Sequence, residues 1–303
     1  MAKKGRSPST RSPEDRLDKI KRLVVIAIFS DDDLLERLVL KGGNALNLAH
    51  RVTTRASVDL DFSMEAEFAR GELSSIRQRV EHRLKQTFAP VGYTVFDVKL
   101  DEKPERVTPD VADFWGGYRL EFKLIDTKKA NELGGGLEEI RRNAMPVGLR
   151  NRTRFEVDIS KFEYCTGKQA FEFDGFTIYV YTPPMVVCEK LRAICQQMPE
   201  YIRLVKSSAA PRARDFLDIH DTIQRFDIDP ISAGQRELLA NVFAAKRVPL
   251  ALLGQIQEHR DFHLQDWPAV EASVRPGVEL RPFDFYFDFV VNLARKLIPL
   301  GDM

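Results

Sequence analysis

The sequence predicts an α/β fold of the α+β kind, with a mixed sheet and flanking helices to about residue 182 and a helical C-terminal domain after it. Three observations predict it. Period-two alternation recurs between residues 58 and 181, where β-branched and aromatic residues concentrate. Pro183-Pro184 breaks that pattern. Beyond the break, the apolar residues fall at helical spacing over 184–198, 211–225, 234–246 and 283–298. At 303 residues the chain can hold one large domain or two ordinary ones.

Taken in order, residues 1–16 carry Lys3, Lys4, Arg6, Arg11 and Arg16 among Ser, Thr and Pro, a composition expected of a disordered leader. That leader could touch an anionic polymer or be a solvated tail. Leu17, Ile20, Leu23, Val24 and Ile28 predict a helix over 13–30. Leu38-Val39-Leu40 is a short strand candidate leading into Lys41-Gly42-Gly43-Asn44, with a short helix over Ala45–His50. Val58 to Ser63 alternates as a half-buried strand. A charged amphipathic helix is expected over 66–88, ending before Pro90. Strands follow over 93–100, 118–125, 154–160 and 171–181. The segments are thus a leader (1–16), a core (17–182) and a helical domain (183–303).

Composition narrows the class. Hydrophobic residues make up 44% and charged residues 30%, the balance of a soluble globular protein. No run of eighteen apolar residues suggests a membrane span, and the polar N-terminus does not read as a secretory signal. Cys188 and Cys195 lie about 10 Å apart along one predicted helix, too far for a disulfide, and no Cys-x-x-Cys pair occurs. A reducing cytoplasm is the expected compartment. A net charge of +1 disfavours a protein that coats nucleic acid, although a local basic patch could still hold one.

The chemistry concentrates at Asp59 and Asp61. One residue apart on a strand, both side chains leave the same face, while Val58, Leu60 and Phe62 point into packing. Adjacent carboxylates repel unless a cation or a shared proton neutralises them. Hard divalent ions, Mg²⁺ above all, suit oxygen ligands and also bridge phosphates. An Asp-x-Asp by itself can equally be a solvated strand face. Upstream, Gly42-Gly43 joins a strand to a helix starting near Asn44. Backbone N–H groups at such a junction can receive phosphate oxygens, or the pair can be a plain turn capped by Asn44. Arg55 and Ser57 add a cation and a hydroxyl, or are surface positions.

The stretch Leu40-Lys41-Gly42-Gly43-Asn44-Ala45-Leu46, followed by Arg55-Ala56-Ser57-Val58-Asp59-Leu60-Asp61-Phe62, resembles the AbiEii/AbiGii toxin family of nucleotidyltransferases, whose core is similar to DNA polymerase β. Three later motifs agree, in family order, across roughly residues 35–225. Arg154-Phe155-Glu156-Val157-Asp158-Ile159 looks like the strand that supplies a third carboxylate. Glu189-Lys190-Leu191-Arg192-Ala193 resembles the Glu-Lys-Leu-x-Ala helix. Arg212-Ala213-Arg214-Asp215-Phe216-Leu217-Asp218-Ile219 resembles the Arg-x-[Lys/Arg]-Asp-x-x-Asp-[Ile/Leu] helix. One departure is Gly43-Asn44 where the superfamily has Gly-Ser and this family often Gly-Gly-Thr; an Asn amide can still donate to a phosphate.

The resemblance implies a metal-dependent transfer of a nucleotidyl group from a nucleoside triphosphate. Asp59, Asp61 and Asp158 are then the expected ligands of two Mg²⁺ ions (Mn²⁺ is an alternative). Lys41, Gly42, Gly43, Asn44, Arg55, Ser57, Glu189, Arg212 and Arg214 are the expected substrate contacts, and Lys190 a charge on the triphosphate. Asp158 could instead be an edge-strand surface residue, and Lys190 half of a structural ion pair. Asp215 and Asp218 share a helix face and form either an active-site wall or a salt-bridge network. The implied setting is a toxin acting on RNA, with the tRNA 3′ end as acceptor and a cognate antitoxin. Alternatives are a small-molecule acceptor such as an aminoglycoside, a protein acceptor, or a catalytically silent nucleotide-binding module. Basic runs at Arg141, Arg142, Arg150, Arg152, Arg154 and at Arg203, Lys206, Arg212, Arg214 could hold an RNA backbone or be solvated loops.

Other signals carry less. His259 and His263 have the spacing of two zinc ligands, but no third is evident. The His259-Arg260-Asp261 tripeptide matches a kinase catalytic loop without the downstream motifs. Gly134-Gly135-Gly136 lacks the Lys-Ser/Thr of a P-loop and reads as a turn. The aromatic run 283–289 reads as a packing helix.

Overall fold

The structure is a computed structural model that describes residues 13–50, 60–134, 136–147, 151–275 and 277–298. Helix α1 (Pro13–Phe29) presents Ile20, Val24, Val25 and Ile28 as a buried stripe. Helix α2 (Asp32–Arg37) follows, its first turn capped by the Asp31 carboxylate, which accepts from the Leu34 amide at 3.2 Å. Strand β1 (Val39–Leu40) leads into α3 (Gly42–Asn44) and a π-turn over Ala45–Ala49. Strand β2 (Leu60–Ser63) continues the core, so the expected strand over 58–63 holds from residue 60; Val58 and Asp59 lie outside the described residues.

Helix α4 (Leu73–Phe88) starts later than the expected residue 66. The Glu72 carboxylate accepts from the Ala69 amide at 2.9 Å and from both ends of the Arg37 guanidinium at 3.1 and 3.2 Å. Those bonds fix the preceding residues in a turn. Ile76, Val80, Leu84 and Phe88 then recur at four-residue spacing and are all buried. Truncating Leu84 to Ala would cost about 2–5 kcal/mol, the usual range for a core leucine.

Strands β3 (Tyr93–Lys103) and β4 (Gly117–Asp126) pair antiparallel, and α5 (Thr127–Glu132) and α6 (Leu137–Arg142) lead to β5 (Arg154–Ser160). The expected strand over 171–181 is instead a hairpin, β6 (Gln169–Phe173) and β7 (Phe176–Val180). Asp174 at φ 51° and Gly175 at φ 81° make the two-residue turn, which requires left-handed backbone at both positions. The sheet order is β3-β4-β5-β2-β1-β7-β6, with β2/β5 and β1/β7 parallel and the other pairs antiparallel. One face, carrying Leu60, Phe62, Leu120, Phe122, Phe155 and Val157, packs under α1 and α4.

After β7 the chain is helical: α7 (Pro183–Cys195), α8 (Pro199–Val205), α9 (Ala213–Phe226) and α10 (Ala233–Ala245). A 3₁₀ stretch (Leu250–His259), α11 (Arg260–Leu264), α12 (Trp267–Ser273) and α13 (Phe283–Leu297) complete it. From Met185 to Cys195 every α7 residue is buried, so this helix is the axis of the second core. The aromatic run on α13 packs: Phe283 and Phe287 lie 5.5 and 5.4 Å from the Phe216 ring. A mixed sheet with flanking helices and a helical C-terminal part is the fold class the sequence predicts. No helix among the described residues is long and apolar enough to cross a membrane.

Candidate active site

Strands β2 and β5 run parallel with Asp61 in register with Asp158. Leu60, Phe62, Val157 and Ile159 fill the core on one face, so both carboxylates emerge on the other. Strand β5 lies between β4 and β2, which removes the edge-strand reading of Asp158. Its carboxylate accepts from Lys103 Nζ at 2.6 Å and from Arg119 Nε at 3.1 Å. Burial opposes its ionisation, but Lys103 and Arg119 outweigh burial and hold Asp158 below the usual carboxylate range.

The Lys41 amide donates to the Asp61 carbonyl at 3.0 Å, tying the Gly42-Gly43 turn to β2. Gly42 sits at φ +65°, and a Cβ there would lie 3.5 Å from Asp61 Oδ2. The helix begins at Gly42 rather than near Asn44, because Ala45 N–H already donates to the Lys41 carbonyl at 3.3 Å. Asn44 is therefore a buried helical residue and not the cap; Lys41 holds that position. The Gly42 and Gly43 amides precede this first helical bond, beside Asp61.

Lys41 is buried, and its ammonium donates to Ser160 Oγ at 3.1 Å and to Glu163 at 3.4 Å, with Glu189 at 3.9 Å. Burial alone would lower its pKa, but Glu163 and Glu189 outweigh it and raise the value. Glu163 is the hub of this cluster. It accepts from Arg192 at 2.6 and 3.2 Å and faces Lys246 at 3.7 Å. Burial opposes its charge, yet Arg192, Lys41 and Lys246 hold it far below the carboxylate range. Burial, with Arg192 and Lys41 close by, brings Lys246 down to about 8 despite Glu163. Arg192 Nε is the buried side-chain donor without a partner among the described residues.

A cavity of about 320 Å³ opens where these elements meet. Lys41, Lys103, Arg192, Arg212 and Lys246 line it against the carboxylates of Asp158, Glu163 and Glu189, so the cavity favours an anion. A larger one, about 620 Å³, lies around Glu36, Met64, Glu72 and Cys165 and contains none of the expected site residues.

Behind the cavity wall, Lys190 Nζ lies 2.7 Å from both Asp215 and Asp218, and the Arg212 Nε donates to Asp215 at 2.5 Å. Burial opposes ionisation of Asp215, but Arg212 and Lys190 hold it well below the ordinary range. The salt-bridge network considered from sequence is therefore present, joining α7 to α9, and Lys190 points into it. Arg212 belongs to both groups, because it also lines the cavity. Its backbone N–H donates to Nδ1 of the buried His263 at 3.1 Å, so that ring is a neutral acceptor and not half of a zinc pair. Burial lowers the His263 pKa to about 4.

The structure thus gathers Lys41, Asp158, Glu189 and Arg212 around the cavity, with Asp61 in register beside Asp158 and close enough to act on Lys41 and Arg212 electrostatically. Arg55, Ser57 and Asp59 lie outside the described residues. Among the described residues, no group of three or more His, Cys, Asp or Glu is placed to hold a metal. Of the basic runs, Arg141 is spent on Asp97 and Glu138, and Arg154 on Glu121. Sequence reasoning missed Glu163, Lys103, Arg119 and Lys246. It also missed Gly117, whose Cβ would come 2.1 Å from the Ile159 carbonyl oxygen. The Gly116-Gly117 pair just ahead of a strand was the available signal.

A family model described as nucleotidyl transferase AbiEii toxin, Type IV TA system, matches residues 24–289. The chain belongs to the AbiEii nucleotidyltransferase toxin family. No curated protein matches it. Among solved structures, JHP933 from Helicobacter pylori is 14% identical, with 95% of this chain and 93% of that one covered, at a TM-score of 0.48. MenT4, a nucleotidyltransferase toxin from Mycobacterium tuberculosis, is 15% identical over 96% of this chain and 86% of its own, at 0.45. At these scores neither likeness bears on the site. Membership of the AbiEii family makes the chain a nucleotidyltransferase of the toxin type, with a nucleoside triphosphate as substrate.

Proposed function

We propose that the chain transfers a nucleotidyl group from a nucleoside triphosphate to an RNA acceptor, the 3′ end of tRNA, and that a cognate antitoxin opposes it in the cytoplasm. The observation that carries this reading is the Asp61–Asp158 register beside Gly42-Gly43, at a cavity whose cations outnumber its acids. The donor set is all oxygen, as hard divalent ions require, and the glycine at position 42 leaves room beside Asp61 Oδ2. Asp61 and Asp158, with Asp59 as the third ligand and Lys103 displaced, would hold Mg²⁺ (a pair of ions, with Mn²⁺ as the alternative). When bound, the metal would neutralise the triphosphate and acidify the attacking hydroxyl.

The protein's own groups do the rest. Lys41 and Arg212 line the cavity as cations for phosphate oxygens, and the Gly42 and Gly43 amides next to Lys41 would extend that cradle. Lys103, released from Asp158, becomes a further phosphate contact. Glu189 and Glu163 hold Lys41 from behind, so its ammonium is positioned before substrate arrives. Lys190, Asp215 and Asp218 act one layer back by fixing α9 and thereby Arg212. The acceptor oxygen then bonds to the α-phosphorus as the bond to the β-phosphate oxygen breaks, and pyrophosphate leaves.

Incubating the protein with Mg²⁺, bulk tRNA and each nucleoside triphosphate labelled at the α-phosphate tests the reading. Label on the tRNA 3′ end is the expected result. Nucleotide binding without labelled RNA would sink the tRNA acceptor and turn the search to small molecules and proteins. RNA binding is also expected to weaken steeply with salt, as contacts to a phosphate backbone do.

A further inference from the structure

One wall of the cavity is not built for phosphate. Trp115, half-buried, lines it together with Gln196 from the end of α7 and Lys246. The indole meets the Tyr201 ring edge-on at 5.8 Å, and Lys246 Nζ lies 5.9 Å from the indole centroid. Tyr201 is buried and donates its only hydroxyl proton to the Lys246 carbonyl at 2.7 Å. The 3.2 Å contact between Gln196 Nε2 and Tyr201 OH must therefore run from the amide to the hydroxyl. That turns the amide nitrogen of Gln196, a residue of the cavity lining, towards Tyr201 and leaves its carbonyl oxygen as the group that can accept. Gly116 (φ +107°) and Gly117 line the same cavity next to Trp115.

We propose that this wall is the nucleobase subsite: Trp115 stacks the base of the incoming nucleoside triphosphate, and Gln196 accepts a hydrogen bond from an N–H on its edge. This rests on the triphosphate reading of the cavity above. An aromatic face takes any base, whereas a single oriented acceptor distinguishes base edges by where each carries its N–H. Trp115 thus supplies affinity and Gln196 supplies choice among the four triphosphates. The cation beside Trp115 is Lys246, whereas Lys41, Lys103 and Arg212 are those assigned to the phosphates.

Equilibrium binding of the four nucleoside triphosphates and of inorganic tripolyphosphate, read by calorimetry without acceptor, tests the proposal. Trp115→Ala is expected to weaken nucleotide binding about tenfold or more while tripolyphosphate binds as before. Trp115→Phe keeps a ring and should recover most of the loss, which separates stacking from a folding defect. Gln196→Met should bring the four nucleotides to within about threefold of one another. Unchanged nucleotide affinity in Trp115→Ala would overturn the subsite, as would an equal loss for tripolyphosphate. An unchanged ranking in Gln196→Met, or no ranking in the wild type, would overturn the role of Gln196. If the wild type binds tripolyphosphate but no nucleotide better, the subsite fails while the phosphate site stands. If it binds neither, the triphosphate reading itself fails.

Discussion

Replacing Lys190 with methionine keeps the side chain's apolar stem and removes the charge that two buried carboxylates share. Lys190 is 5% exposed at its side chain, and Asp215 and Asp218 are 1% and 9% exposed, so little water can take its place. Removing one partner of a buried ion pair costs about 3–5 kcal/mol, because the other charge is left uncompensated. Lys190 Nζ lies 2.7 Å from both carboxylates, and Arg212 still holds Asp215 at 2.5 Å, so the loss is expected towards the lower end of that range. Against a total stability of roughly 5–15 kcal/mol, that is a large fraction. Urea unfolding followed by circular dichroism should show the midpoint fall markedly. A Lys190→Met protein within about 0.5 kcal/mol of wild type, yet unable to transfer label, would refute this reasoning. Lys190 would then be acting on the nucleotide.

Two further outcomes are expected. Gly117→Ala places a Cβ 2.1 Å from the Ile159 carbonyl oxygen, so β4 and β5 must separate where Arg119 and Asp158 meet. It should destabilise by more than about 1–3 kcal/mol, the usual cost of overpacking, whereas Gly234→Ala meets nothing within 4 Å and should be neutral or stabilising in the same unfolding assay. His263 is lowered from 6.5 to about 4 by burial, so the unfolded chain binds its proton first as pH falls. Stability held above pH 6.5 is therefore lost progressively as pH drops towards 4, by on the order of 3 kcal/mol from this residue. Other depressed carboxylates add their own loss at lower pH, so the contribution is read as the difference between wild type and His263→Gln. Equal pH profiles for the two would contradict the neutral acceptor role at Arg212.

The sequence made the long elements legible wherever one periodicity ran uninterrupted. The amphipathic stripe of α4 and the alternation of β5 are examples, and the apolar α7 is another. It hid α2, α5, α6 and α8, which are six or seven residues long and too short for a periodicity to register. The β6–β7 hairpin was obscured because aromatic residues continue on both sides of Asp174-Gly175, although that dipeptide is itself a turn signal. At the site, Asp61 and Asp158 were legible as charges on otherwise apolar strands. Glu163, Lys103 and Lys246 were not, since a polar residue in a turn or at an element's end looks the same whether solvated or buried. The burial of Glu163 and Lys246 follows only from the strand order that folds the 160s turn and α10 onto one cavity, which the half-exposed Lys103 borders. Lys190 was placed on the right helix, but the sequence left its partner open between phosphate and an acid such as Glu189, and the structure gives it Asp215 and Asp218.

The most direct test of the catalytic assignment is the single-turnover rate of nucleotidyl transfer by Asp61→Asn, alongside its urea midpoint. The pairing of Asp61 with Asp158 at the cavity predicts a loss of at least about 10³-fold, roughly 4 kcal/mol of transition-state stabilisation, in a protein that remains folded. Transfer within tenfold of wild type by a folded Asp61→Asn protein would contradict it, and the chemistry would have to be sought away from these strands.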